Sequence, residues 1–298
     1  MKLRPRPLTL QSGMAVITAM LLVALAASAA TFLLWRQQLW LGQVESIAAR
    51  AQADALARAT IEWRRRGGAG QIPAPFAEAD AIETAVSDPQ GLFNLNNVLR
   101  AGKPSEPDLA VFRRLLSMLK LPEALADALL DAIDADSDST FPGGAEDLDY
   151  LAMDPPRRAP NRLLLHVSSL GRIKGFTAEA IARLAPYVTA LPESTAVNVN
   201  SAPAEVLRAL IPGLDEAAAR AIVADRSSKP FDSLDTFRAK LPEAVRPPSG
   251  ISLGLSSTYF VVATRVRLER AVADHRALIG IRGAKHEGIV WRTEGFDG

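Results

Sequence analysis

The sequence predicts an α+β fold: one long N-terminal helix packed on an antiparallel sheet, with an all-α domain inserted into that α/β unit. Three observations predict it. An uncharged apolar run passes without a break into an alanine-rich stretch of helical periodicity. The middle of the chain carries helical apolar spacing punctuated by glycine turns and N-cap residues. The last part is β-branched and alternates late in its run.

The N-terminal element comes first. Lys2, Arg4 and Arg6 form a basic head, and no charged residue follows from Pro7 to Trp35. At 1.5 Å per residue, the segment from Met14 to Trp35 spans roughly 33 Å, enough to cross a bilayer core. The basic head predicts a cytoplasmic N-terminus with the rest of the chain outside the cytoplasm. A conventional signal peptide is the alternative, with Ala26 to Ala30 imitating its cleavage site, but apolar sequence continues through Phe32, Leu33, Leu34 and Trp35. Beyond the membrane, Val44, Ile47, Ala48, Ala51, Ala55 and Ala59 recur at helical spacing, and Gly67-Gly68-Ala69-Gly70 ends the helix. One helix from about Met14 to Arg66 follows, half in lipid and half packed on a soluble domain. A coiled-coil stalk is the other reading of this stretch.

The remaining sequence divides in three. Residues 36–102 and 241–298 are read as the two parts of the α/β domain, and 103–240 as the inserted helical domain. Asp88-Pro89 and Gly91 form a turn, and Phe93 and Leu95 alternate with Asn94 and Asn96 as in a short strand. Leu109 to Leu119 and Leu125 to Ile133 read as helices. Ile173-Lys174-Gly175-Phe176-Thr177 and Ile211-Pro212-Gly213-Leu214-Asp215 each lead into a helix, which makes a helix-hairpin-helix (SAM-like) duplication. Such modules often bind DNA, and Val197 to Ala202 resembles their start in membrane-anchored competence proteins. Asp215 and Glu216 at the second helix start argue against it, since carboxylates there satisfy the helix and repel phosphate. Ser256 to Leu268, His275 to Ile281 and Gly288 to Arg292 read as strands.

Charge and composition exclude several chemistries. The formal net charge is +1 with 48% hydrophobic residues, enough apolar material for one or two packed domains and no reason to expect a polyanionic partner. The chain has no cysteine, which removes thiolate, disulfide and cysteine-nucleophile chemistry. His166, His275 and His286 share no short metal-ligand spacing. The dense charge lies elsewhere. Asp131, Asp134, Asp136, Asp138, Glu146, Asp147 and Asp149 surround Pro142-Gly143-Gly144. Such carboxylates repel one another unless they are solvated or neutralised. The pattern offers hard oxygen ligands of the kind calcium prefers, although it is not an EF-hand: the sixth loop position is Ser139 and the twelfth Ala145. Paired-carboxylate catalysis needs a substrate cleft, of which the sequence gives no sign, so the chain is read as not an enzyme.

Several motifs resemble one family. Gly13 before the apolar run resembles the type IV prepilin signal, which implies prepilin peptidase cleavage between Gly13 and Met14. Thr18 then takes the fifth mature position, where most pilins and pseudopilins carry glutamate. Its replacement, together with Gly91-x-Phe93-Asn94-Leu95-Asn96-Asn97 and the run from Gly143 to Asn161, resembles the K-type minor pseudopilins of the type II secretion system, the general secretion pathway protein K family. The resemblance covers nearly the whole chain. It implies a pilin-like fold and a single-pass inner-membrane anchor with a periplasmic C-terminal domain. It implies a place at the pseudopilus tip, initiating and capping assembly with I- and J-type, then H-type and major pseudopilins, on an inner-membrane assembly platform. Calcium is implied as the cofactor. Asp134, Asp136, Glu146 and Asp147 are the preferred ligands, with Asp138 and Asp149 as further candidates. A competence-type DNA-binding protein and a minor pilin of a type IV pilus are the alternatives.

Overall fold

A computed structural model describes residues 11–67, 79–282 and 285–297. The basic head, most of the glycine run after the first helix, and Pro73 and Pro75 lie outside the described residues. Helix α1 runs from Gln11–Arg65. Its Met14–Arg65 portion contains an 18-residue window of mean hydropathy 2.3, none of it buried against the rest of the chain. Thr18 lies within this apolar half, where its Oγ1 donates to the carbonyls of Met14 (2.6 Å) and Ala15 (3.2 Å). Its polar atom is thereby satisfied inside the helix.

Strands β1 (Ala81–Ser87), β2 (Tyr259–Leu268), β3 (Ala271–Arg282) and β4 (Lys285–Asp297) form one antiparallel sheet in the order β1-β2-β3-β4. β1 is an edge strand, mostly exposed and too short to display a strong alternation, so the sequence pattern does not reveal it. The C-terminal half of α1 crosses β2 and β3. Ala49, Ala53, Ala57, Thr60 and Ile61 are the residues that α1 buries, the Thr60 hydroxyl donating to Leu56 O at 2.8 Å within the helix. The stripe Val44, Ile47, Ala48, Ala51, Ala55 and Ala59, which has the same spacing, is exposed and faces away from the sheet. Alanine occurs on both faces of the helix, so periodicity alone does not say which face packs. Small residues at 49, 53 and 57 let the helix approach the sheet closely.

Between β1 and β2 the chain forms seven helices: α2 (Glu106–Met118), α3 (Leu125–Ile133), α4 (Asp147–Leu151), α5 (Ala178–Leu184), α6 (Ala204–Leu210), α7 (Glu216–Ser228) and α8 (Leu234–Arg238). One large apolar cluster holds most of them together. It also takes in Phe93, Leu95 and Val98 on one side, with Ile251, Leu253 and Leu255 packed against it on the other. The helical packing therefore reaches past 103–240 at both ends. The two glycine turns have the expected geometry. Gly175 and Gly213 adopt φ of 88° and 82°, which favours glycine. Thr177 Oγ1 and the Asp215 carboxylate cap α5 and α7, accepting from Ala180 N (3.2 Å) and Ala218 N (2.7 Å). Only the second unit is a full helix pair, α6 and α7. A 3-10 helix over Val167–Arg172 precedes α5.

The segment Asp88 to Val98 is chiefly two 3-10 turns around a two-residue strand, and its polar side chains fasten distant loops. Asn96 donates to the carbonyls of Leu164 and Leu191 (2.8 and 2.7 Å) and accepts from Leu164 N (2.9 Å). Asn97 donates to Thr195 O and accepts from Thr195 N (2.8 and 2.9 Å). Asp88 Oδ2 accepts from Asn198, Ser201 and Ser257, and Gln90 Oε1 accepts from the backbone N of Thr258 and Tyr259. The last of these bonds tie the helical region to the start of β2. Gly91 has to be glycine because a Cβ there would lie 2.6–2.8 Å from Ser201.

Candidate functional site

The site grows from the C-terminal end of α3. Asp127 and Asp131 are buried along this helix. Asp127 pairs with Arg113 of α2 at 2.8 Å. Asp131 accepts from Thr140 N at 3.0 and 3.2 Å, so one carboxylate folds the following loop back over the helix end. Gly143 and Gly144 allow the return to be this tight. A Cβ on Gly143 would lie 2.1 Å from Ala124 O, and one on Gly144 would lie 2.1 Å from Asp131 Oδ2 and 2.4 Å from Thr140 O. The loop then delivers Glu146 immediately before α4.

This path brings Asp134, Asp136 and Glu146 together, each offering a carboxylate oxygen within 4.8 Å of the other two. Asp134 is 7% exposed and Glu146 is 5% exposed. Asp134 Oδ1 and both Glu146 oxygens are buried without a hydrogen-bond partner. Burial and the charges of Asp136 and Asp131 push the Asp134 carboxyl up to about 6. Burial and the charges of Asp131, Asp134, Asp136 and Asp147 push Glu146 up to about 7. A buried carboxylate with no donor and like-charged neighbours is costly. A bound cation would supply the missing partner. All-oxygen donors of this kind suit a hard divalent ion.

The other predicted ligands are engaged differently. Asp147 accepts from Ala159 N at 2.9 Å. Asp149 pairs with Lys174 Nζ at 2.6 Å and accepts from Glu146 N at 3.4 Å. Both hold the loop in shape. Asp138 is exposed, and its backbone N donates to Asp136 Oδ1 at 2.9 Å. Asn161 was not read as a ligand. Its Nδ2 donates to Asp136 O at 3.2 Å, and its Oδ1 is buried without a partner. Asn161 closes the run from Gly143 that resembles the K-type minor pseudopilins, but an asparagine carries no charge to mark it as a ligand, and the fold supplies that assignment.

Two profiles of type II secretion system protein K match the chain, over residues 91–193 and 197–255. Type II secretion system protein K of Pseudomonas aeruginosa is 32% identical over 285 residues, covering 87% of this chain and 85% of that protein. The chain belongs to the type II secretion system protein K family. It is a minor pseudopilin of type II secretion, and its N-terminal apolar helix is of the kind that anchors such a component by a single pass. Protein K of Aeromonas hydrophila is 26% identical over 324 residues, covering 95% of this chain and 96% of that protein. A chain in the crystal structure of the GspK-GspI-GspJ complex from enterotoxigenic Escherichia coli has the same fold, with a TM-score of 0.64 at 24% identity. That match covers 87% of this chain and 98% of the solved one. The long helix on an antiparallel sheet, with further helices, is thus also the fold of that solved chain. The readings as a competence-type DNA-binding protein or a type IV minor pilin are not favoured. The start of α7 agrees: Asp215 caps it, and Glu216 pairs with Arg220 and Arg208, so carboxylates rather than free cations stand where phosphate would bind.

Proposed function

We propose that this minor pseudopilin sits at the tip of the pseudopilus, where it initiates and caps assembly with I- and J-type partners. The observation that carries this is Thr18. A glutamate at this position would need the N-terminal amine of a neighbour, since a lone carboxylate in lipid is expensive. The Thr18 hydroxyl bonds instead to its own helix at 2.6 and 3.2 Å, so the position asks nothing of a subunit above it. The solved complex of a relative, named for three such proteins, supports the choice of partners. The exposed face of α1 at Trp40, Val44, Ile47 and Ala51 offers apolar surface on which a neighbouring helix can lie.

Prepilin peptidase cuts between Gly13 and Met14. The helix stays in the inner membrane with its N-terminus cytoplasmic, and residues beyond Trp35 are periplasmic. H-type and major pseudopilins follow below, on the assembly platform. The inserted helical domain, read as 103–240 with packing that extends to Phe93 and Leu255, has a bulk that keeps the tip from threading the outer-membrane channel. Calcium binds Asp134, Asp136 and Glu146, with Asn161 Oδ1 as a further neutral oxygen, and the role is structural rather than enzymatic. Co-purification of the full chain from membranes with its I- and J-type partners tests the tip assignment. A stable complex that Thr18→Glu weakens is the expected result. A Thr18→Glu chain that assembles and secretes as well as the parent contradicts it. N-terminal sequencing of the same material should begin at Met14, and a start after Ala27 or Ala30 would indicate a conventional signal peptide.

A further inference from the structure

The interface between α1 and the sheet is not uniformly apolar. One apolar cluster joins Ala49, Ala53 and Ala57 to Val266, Leu268 and Ala273. A second joins Ile61 to Val262, Ala277 and Ile279. Between them lies a single polar layer. Thr84, Thr264, His275 and Glu294 stand opposite one another across β1, β2, β3 and β4. Asp54 and Arg58 approach this row from α1. His275 is 1% exposed, deep under the helix. His275 Nε2 lies 2.8 Å from Asp54 Oδ1. Asp54, His275 and Glu294 each offer a ligand atom, all within 4.8 Å of one another.

We propose that Asp54, His275 and Glu294 form a transition-metal site of the zinc class that fastens the anchoring helix to the sheet. One imidazole and two carboxylates from three separate elements make a donor set that zinc accepts and calcium does not favour. Asp54 is oriented for the role. Arg58 Nη2 holds its Oδ2 at 2.8 Å, and the buried Oδ1 turns toward His275 Nε2 at 2.8 Å. Hydrogen bonding to the outer oxygen of a ligating carboxylate is the ordinary support of a metal ligand. Glu294 is held by the same guanidinium only at 3.4 and 3.5 Å, so it can turn inward while Arg58 stays on Asp54. In four-coordinate zinc at 2.0–2.1 Å, ligand atoms sit about 3.3 Å apart, which side-chain rotation can reach from the observed spacing. Glu294 lies at the open edge, where water can take the fourth position. The two carboxylates and Arg58 carry net charge −1, which a divalent ion reverses without leaving a bare carboxylate behind.

The test uses the full chain in detergent micelles, with saturating calcium to occupy the acidic loop, titrated with zinc by calorimetry and with cobalt by visible absorption. One zinc equivalent beyond calcium is expected, with cobalt giving the intense spectrum of a low-coordinate site that includes imidazole. His275→Gln should weaken zinc by about a hundredfold and abolish that spectrum, and Glu294→Gln should weaken it by about tenfold, on the scale of lost metal-site interactions. Glu294 lies at the exposed edge, so this second variant decides the matter even if His275→Gln folds poorly. A chain with Asp134→Ala and Glu146→Ala should keep the zinc site, which separates this proposal from the calcium reading. Zinc binding unchanged by both His275→Gln and Glu294→Gln, or no zinc equivalent beyond calcium, overturns it and leaves a hydrogen-bonded polar layer.

Discussion

Two groups of carboxylates in this protein meet opposite fates. In the acidic loop, Asp134, Asp136 and Glu146 converge with no basic side chain among the described residues paired to them, and two of the three are driven to high pKa. Beneath α1, Asp54 and Glu294 converge as closely, but Arg58 touches both and His275 lies between. The second cluster carries one cation of its own for two carboxylates; the first carries none. Charge density in a sequence is therefore a poor guide to electrostatic need, and the internal counter-ion sets how much charge a folded cluster leaves for an outside cation to balance.

The contrast can be broken or sharpened by substitution. Gly144→Ala should have the largest effect. Its Cβ would meet Asp131 Oδ2 and Thr140 O far inside contact distance, so the loop must open, at a cost of about 3 kcal/mol, the upper range for overpacking. Gly295→Ala, beside the other cluster, meets nothing closer than 3.7 Å and should stay within about 0.5 kcal/mol of the parent. Chemical denaturation of the two variants checks the pair.

Acid should separate calcium from the loop next. Glu146 near 7 and Asp134 near 6 must lose protons to bind metal. Calcium affinity should therefore fall by at least about tenfold, or 1.4 kcal/mol, between pH 8 and pH 6. Without calcium the sign reverses. Both folded values lie above the unfolded ones, so their contribution to stability is fully present below about pH 4 and is lost as pH rises through 6 and 7. Melting temperature against pH, with calcium and with chelator, should give curves of opposite slope from these groups.

Smaller effects follow. Arg58→Ala removes the internal cation of the second cluster, but the side chain is half exposed, so the loss should stay under about 1 kcal/mol. Glu146→Gln in chelator should stabilise the chain by on the order of 1 kcal/mol, because it removes a buried carboxylate set among like charges. If both substitutions destabilise equally, the distinction between the clusters fails.

Much of this was legible in the sequence, for reasons that can be named. The apolar run, the capped glycine turns and the acidic loop are local patterns, and each became the element expected. Asn94, Asn96 and Asn97 read as turn and strand residues because asparagine is usually exposed; here they are buried and fasten loops about 70–100 residues away, which no local pattern records. His275 looked isolated because its partners lie on α1 and β4, and only the strand register with the helix above creates the cluster. Of the six acidic residues expected around calcium, the sequence could not say that Asp147 and Asp149 would be taken up by Ala159 N and Lys174, leaving Asp134, Asp136 and Glu146 to face one another.

The most direct test of the claim that the loop needs a cation is a thermal melt of the full chain in detergent, with calcium and with chelator. Binding to the folded state alone stabilises by about 2.7 kcal/mol at a hundredfold excess over Kd. The melting temperature should therefore rise by several degrees in calcium for the parent chain, and by nothing for Asp134→Ala with Glu146→Ala. Identical melts of the parent in calcium and in chelator would contradict the account and leave the loop an unassisted, partly protonated acidic cluster.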